Sequence, residues 1–227
     1  MPGRHPPRVG SPGPGTAVPR IPAVVEVTPP SQFPVLIVGG VRSGKSRLAE
    51  SLAEEASGAM GLPVCYLATA EPLDDEMAVR IKAHQARRPA AWSTVEEPTG
   101  AAAVIRRESA RHVILVECLT LLLSNWMRDP MDAQTFTTRS TDLVDAVRTA
   151  SNPVIVVSNE VGLGVVPVNA MARQYADWLG LLNQQIAAVC GRAFLTVAGV
   201  PIPLPLPSPG RSAPTHKNAS GLSPGDE

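Results

Sequence analysis

The chain carries no surplus of charge: 20 lysines and arginines stand against 20 aspartates and glutamates, for a formal net charge of zero. A general binder of nucleic acid or of an anionic membrane needs a basic excess to attract phosphates, so both classes are disfavoured, and only a local basic pocket stays open. Aromatic residues make up 4% of the chain and are not interleaved with basic ones, which argues against an ATP-driven nucleic-acid motor. Cysteine is scarce. Cys65, Cys118 and Cys190 are odd in number and widely spaced among apolar neighbours. No CxxC or Cys/His spacing marks zinc, and no even set marks a disulfide framework. They read as small buried apolar residues in a reducing compartment. No apolar run approaches the ~20 residues that span a bilayer. The N-terminal stretch lacks a continuous hydrophobic region of signal-peptide type, so a cytoplasmic location is expected.

Proline, by contrast, is abundant and uneven. Ten of the 24 prolines fall within residues 1–34, and the chain after Val200 reads PIPLPLPSPGRSAPTHKNASGLSPGDE. Such segments make few ladder hydrogen bonds and bury too little apolar surface to offset their ordering entropy. Residues 1–34 and 201–227 are therefore expected to be mostly disordered extensions, with polyproline docking segments as the alternative. Residues 35–200 are expected to form one α/β domain, and an apolar content of 44% supplies its core.

Within that domain, short apolar runs alternate with helical patterns. Strands are predicted at 35–38, 64–68, 92–95, 112–117, 153–157 and 193–197, and helices at 45–57, 74–86, 99–111, 138–150 and 169–189. Strands apolar throughout and separated by helices imply a mainly parallel sheet covered on both faces. In such sheets ligands bind beyond the carboxyl ends of the strands.

The first strand leads into Gly39-Gly40-Val41-Arg42-Ser43-Gly44-Lys45-Ser46, which satisfies GxxxxGK[ST] with a buried strand before it and a helix after it. Glycines let successive N–H groups turn inward around phosphate oxygens. The helix directs its positive end at the same anion. Lys45 supplies a mobile charge for the β- and γ-phosphates, and Ser46 a hydroxyl ligand for Mg²⁺. Glu117, at the end of a later strand, is the candidate Walker-B carboxylate, and Glu160 a weaker metal or substrate candidate. NKxD, the guanine reader of GTPase switches, is absent. Asp177-Trp178-Leu179-Gly180 matches DxxG only inside a helical pattern. A small-molecule kinase or nucleotidyltransferase is what the residues leave.

Four further runs narrow that class. GGVRSGKSRLAE at 39–50, YLATAEPLDDEMAVRIKAHQARRPAAWSTVEEP at 66–98, LVECLTLLLSN at 115–125 and VVSNEVGLGVVPVNAMARQYADWLG at 156–180 cover most of 35–200. In these runs the chain resembles the bifunctional adenosylcobinamide kinase/adenosylcobinamide-phosphate guanylyltransferase family of cobalamin biosynthesis. The resemblance implies a P-loop fold and a homo-oligomer. It implies two reactions: ATP or GTP phosphorylates adenosylcobinamide, then GTP donates GMP to the product through a guanylyl-histidine, releasing pyrophosphate.

The motif's histidine falls on His84. A neutral imidazole can attack an α-phosphorus, and His84 shares a predicted helix side with Met77, Arg80 and Ile81. Arg80, Glu96 and Glu117 are implied nucleotide contacts beside the phosphate loop, with Mg²⁺ held through Ser46 and Glu117. Arg87 and Arg88 are either phosphate clamps or a solvated basic turn. Asp75 and Glu76 read as helix-start charges. Two positions depart from the family pattern: Val168 replaces a usual acid and Leu181 a common arginine. The alternatives are a kinase without the guanylyl step and a nucleotide-binding regulatory protein without turnover.

Overall fold

The structure is a computed structural model that describes residues 32–206. Most of the proline-rich N-terminal extension and all of 207–227 lie outside the described residues.

Seven strands form one sheet in the order β3-β2-β4-β5-β1-β6-β7. They are β1 (Val35–Gly39), β2 (Val64–Ala68), β3 (Ser93–Glu96), β4 (Val113–Glu117), β5 (Val154–Val157), β6 (Arg192–Val197) and β7 (Val200–Leu204). The first six run parallel, and β7 returns antiparallel to β6. Every residue of β1, β2 and β5 is buried, as expected for strands covered on both faces.

The pleat divides the core in two. Val35 and Ile37, Tyr66, Leu115 and Ile155 face helix α1 (Lys45–Met60), which inserts Leu48, Leu52 and Ala53. Leu36 and Val38, Leu67, Val116 and Val156 face the other way. There they pack against α3 (Ala101–Glu108), α4 (Leu119–Trp126), α5 (Ala133–Arg148) and α6 (Ala170–Ala187). Helix α2 (Asp75–Gln85) buries no residue in either core. It starts where the Asp74 carboxylate accepts the Met77 N–H at 2.7 Å. Among the described residues no helix is long and apolar enough to cross a membrane.

Three sequence expectations need correction. Helix α4 occupies a stretch for which no element was predicted. Helix α5 starts at Ala133 rather than Thr138, and Asp132 caps it by accepting the Thr135 N–H. Strand β7 extends the sheet to Leu204, into the segment expected to be a disordered tail. Pro201 and Pro203 alternate with Val200, Ile202 and Leu204 on this edge strand. Their missing N–H groups thus fall on the side away from β6, where an edge strand tolerates proline.

Candidate active site

The phosphate loop leaves the sheet centre at Gly39, whose φ of +152° suits glycine. Space enforces the same choice: a Cβ here would sit 2.5 Å from the Thr196 carbonyl oxygen and 2.8 Å from Ser43 Oγ. Gly39→Ala should therefore cost about 1–3 kcal/mol of stability from backbone strain, before any steric shift. Urea unfolding should show the loss, and binding of a fluorescent GTP analogue should weaken with it. Arg42 and Gly44 also adopt positive φ (55° and 104°), the alternation that turns N–H groups into an anion-binding nest.

The loop is braced from the opposite end of the chain. Ser43 Oγ and Thr196 Oγ1 share a buried hydrogen bond of 2.8 Å, and the Gly199 N–H donates to the Ser43 carbonyl at 2.8 Å. Lys45 Nζ donates to the Gly40 carbonyl at 2.7 Å, arching over the loop. Burial pulls the Lys45 ammonium below its ordinary pKa, with Glu117 opposing the shift.

Ser46 Oγ donates to Glu117 Oε1 at 2.7 Å, joining the start of α1 to the end of β4. The second carboxylate oxygen, Oε2, is buried with no hydrogen-bond partner. Burial pushes the Glu117 carboxyl up to about 7, against the Ser46 hydroxyl bond and the nearby Lys45 charge. A buried acceptor without a partner, next to a hydroxyl and beside a phosphate loop, suits a divalent cation. Among the described residues no cluster of three or more His, Cys, Asp or Glu is placed to hold a metal by itself. Mg²⁺ commonly takes one or two carboxylates and completes its shell with phosphate and water, so Ser46 and Glu117 fit it.

Thr69 holds this strand end in place. Its Oγ1 donates to the Cys118 carbonyl and accepts the Cys118 N–H, both at 2.8 Å, and its own N–H donates to the Glu117 carbonyl at 3.0 Å.

These groups open into a cleft of about 500 Å³ beyond the strand ends. Its far wall is α2 and the turn after it. Met77, Arg80, Ile81 and His84 line it at a spacing that puts them on one helix side. His84 Nδ1 lies 3.3 Å from Arg87 Nη2. Guanidinium only donates, so Nδ1 accepts, and the proton of the neutral ring sits on Nε2. Burial, then the charges of Arg87, Arg88 and Arg80, hold the His84 pKa below its ordinary value.

Arg87 also reaches Glu50 Oε1 at 3.5 Å. Arg88 stacks over the Tyr66 ring at 3.6 Å, donates to Thr94 Oγ1 at 3.2 Å and keeps a buried Nε without a partner. Glu96, ending β3, lines the cleft and accepts from Gln85 Nε2 at 3.3 Å.

The cleft thus unites the 41–46 loop, Arg80, His84, Arg87, Arg88, Glu96 and Glu117, with Gly39 and Gly40 at the loop's root. Glu160 does not join them; its carboxylate accepts the Gly162 N–H at 3.1 Å, outside the cleft. Asp75 and Glu76 stand in the first turn of α2. Val168 and Leu181 are exposed and also lie outside it. Tyr66, Thr69 and the Thr196–Gly199 brace carry no motif that marks them in the sequence.

A phosphate loop between a central parallel strand and a helix, with a carboxylate at the end of a parallel strand, defines a P-loop nucleotide-binding protein. The chain belongs to the cobinamide kinase/cobinamide phosphate guanyltransferase family, whose model matches residues 35–204. It is 49% identical over 168 residues to the bifunctional adenosylcobalamin biosynthesis protein CobP of Pseudomonas aeruginosa, covering 74% of this chain and 94% of that protein. Identity is 36% over 181 residues with the bifunctional adenosylcobalamin biosynthesis protein CobU of Escherichia coli, and 37% over 181 residues with CobU of Salmonella typhimurium. Each of those matches covers 74% of this chain and 97% of the relative.

Proposed function

We propose that this chain performs both reactions of its family in the one cleft, with His84 as the group that carries GMP. The observation behind this reading is that the phosphate loop and a half-buried imidazole, held neutral near pH 7, line the same cavity. In the kinase step, the hydroxyl oxygen of adenosylcobinamide bonds to the γ-phosphorus and its proton passes to solvent water. The β–γ bridge breaks and the nucleoside diphosphate departs. Lys45, the loop amides and the end of α1 stabilise the charge passing to the leaving oxygen.

In the transfer step, the His84 ring bonds to the α-phosphorus of GTP while the α–β bridge breaks and pyrophosphate leaves. The lone pair of the neutral ring is at Nδ1, so Arg87 releases it by turning towards phosphate oxygens. An oxygen of adenosylcobinamide phosphate then displaces the imidazole, giving adenosylcobinamide-GDP and restoring His84. Mg²⁺, bound through Ser46 and Glu117, would offset phosphate charge in both steps. A cytoplasmic homo-oligomer is part of the same reading.

Incubation with α-labelled GTP and Mg²⁺ tests it. The expected result is a covalent label that is acid-labile and base-stable, as a phosphoramidate is, and that chases onto adenosylcobinamide phosphate. Corrinoid phosphorylation without label would reduce the chain to a kinase. GTP binding without turnover of either substrate would make it a regulatory protein.

A further inference from the structure

The segment after β5 turns its apolar side chains outward. Leu163, Val165, Val166 and Val168 are 82, 95, 74 and 98% exposed, and Val41 on the phosphate loop is 72% exposed. Single exposed apolar residues need no explanation, but a run of them marks a binding surface.

This run is held at both ends. At its root Asn159 lines the cleft, and the Glu160 N–H donates to the Gly39 carbonyl at 3.3 Å, where the phosphate loop begins. At its far end Arg173 Nη1 donates to the carbonyls of Pro167 and Val168 at 2.9 and 2.6 Å. The segment is a fixed shelf that starts at the cleft wall.

The cleft's size identifies the occupant. At about 500 Å³ it has the size of a site for one drug-sized ligand, the class to which a nucleoside triphosphate on the loop belongs. A corrinoid is far larger than a nucleotide, a broad macrocycle with apolar faces and amide arms. Only the arm bearing its hydroxyl or phosphate can enter, so the ring must rest on protein surface beside the mouth. We infer that residues 161–168, together with Val41, form the shelf on which the corrin ring of the substrate lies during both transfers. This inference rests on the proposed function and adds where the corrinoid sits.

The double variant Val165→Asp/Val168→Asp of the full chain tests it, because both side chains are almost wholly exposed and the Arg173 bonds are to backbone. KM for adenosylcobinamide should rise at least tenfold, and equilibrium dialysis read by corrinoid absorbance should show the same loss of affinity. Label formation from GTP without corrinoid should stay at the wild-type level, as should the sedimentation coefficient. Unchanged corrinoid affinity overturns the inference. So does a parallel fall in label formation, and so does a change in assembly state, which would make the shelf an interface between copies. A wild-type chain that takes label from GTP but passes it to no corrinoid removes the proposed transfer and the shelf with it.

Discussion

His84→Ala is expected to abolish covalent guanylylation, while phosphorylation of adenosylcobinamide stays within about threefold of wild type, since in the proposed mechanism only the transfer step uses the imidazole. The ring stands on the outer face of the cleft, on a helix that buries nothing in either core, so its removal should leave the phosphate loop and its brace intact. The reaction's pH dependence provides a second readout. The folded-state pKa of His84 lies below its ordinary value, so the neutral, attacking form persists as pH falls through that ordinary value. In saturating Mg²⁺, which keeps Glu117 ionised, wild-type labelling should therefore decline at a lower pH than about 6.5, the unperturbed histidine pKa, would give. A decline already under way above that point in saturating Mg²⁺ would show that burial and the three arginines do not hold the ring's pKa down. Loss of both activities in His84→Ala would mean the helix shapes the kinase site as well.

Lys45→Ala should depress both reactions together, by about 10²–10³-fold in kcat, the usual effect of removing one group that stabilises transition-state charge. The two steps break different phosphoanhydride bridges, but each leaves negative charge on oxygens above the same loop. Stability should not follow activity. Burial disfavours the charged ammonium, so deleting it relieves a desolvation cost as well as losing the bond to the Gly40 carbonyl. A thermal midpoint near that of wild type, with both activities lost, is the expected pair of results. If the kinase alone fails, GTP must bind for guanylyl transfer without the loop.

The parallel sheet was legible because β1, β2, β4 and β5 are short apolar runs bounded by glycine, proline or polar residues. Helix α4 was not. Leu119, Leu122, Leu123 and Trp126 are all buried at helical spacing, but the helix is only eight residues long and follows β4 after a single residue, so its period is too brief to separate from the apolar run before it. Its polar residues are also occupied: Asn125 Nδ2 donates to the carbonyls of Thr69 and Pro98, at 2.8 and 2.9 Å. Strand β7 was missed because two prolines in five residues resemble a disordered tail, and only the sheet edge makes them acceptable.

At the site, the phosphate loop is readable because its spacing is itself the mechanism. His84 is singled out only through resemblance, since one histidine on a polar helix has no chemical signature of its own. The contacts through Thr69, Tyr66 and Thr196 join residues far apart in the chain. They exist only once the sheet has brought its strand ends together.

The brace on the phosphate loop bears on how the protein is made. Strand β1 is among the first parts of the domain to leave the ribosome, yet its only sheet neighbours are β5 and β6. The loop it feeds is held by Thr196 and by the Gly199 N–H, at the turn into the final strand. The nucleotide site is therefore begun with the first described strand of the domain and completed at the turn into its last. Until β5 emerges, β1 has no strand to pair with, and until the turn into β7 emerges the loop lacks its Thr196 and Gly199 contacts, so GTP meets the full site only once these late elements are in place.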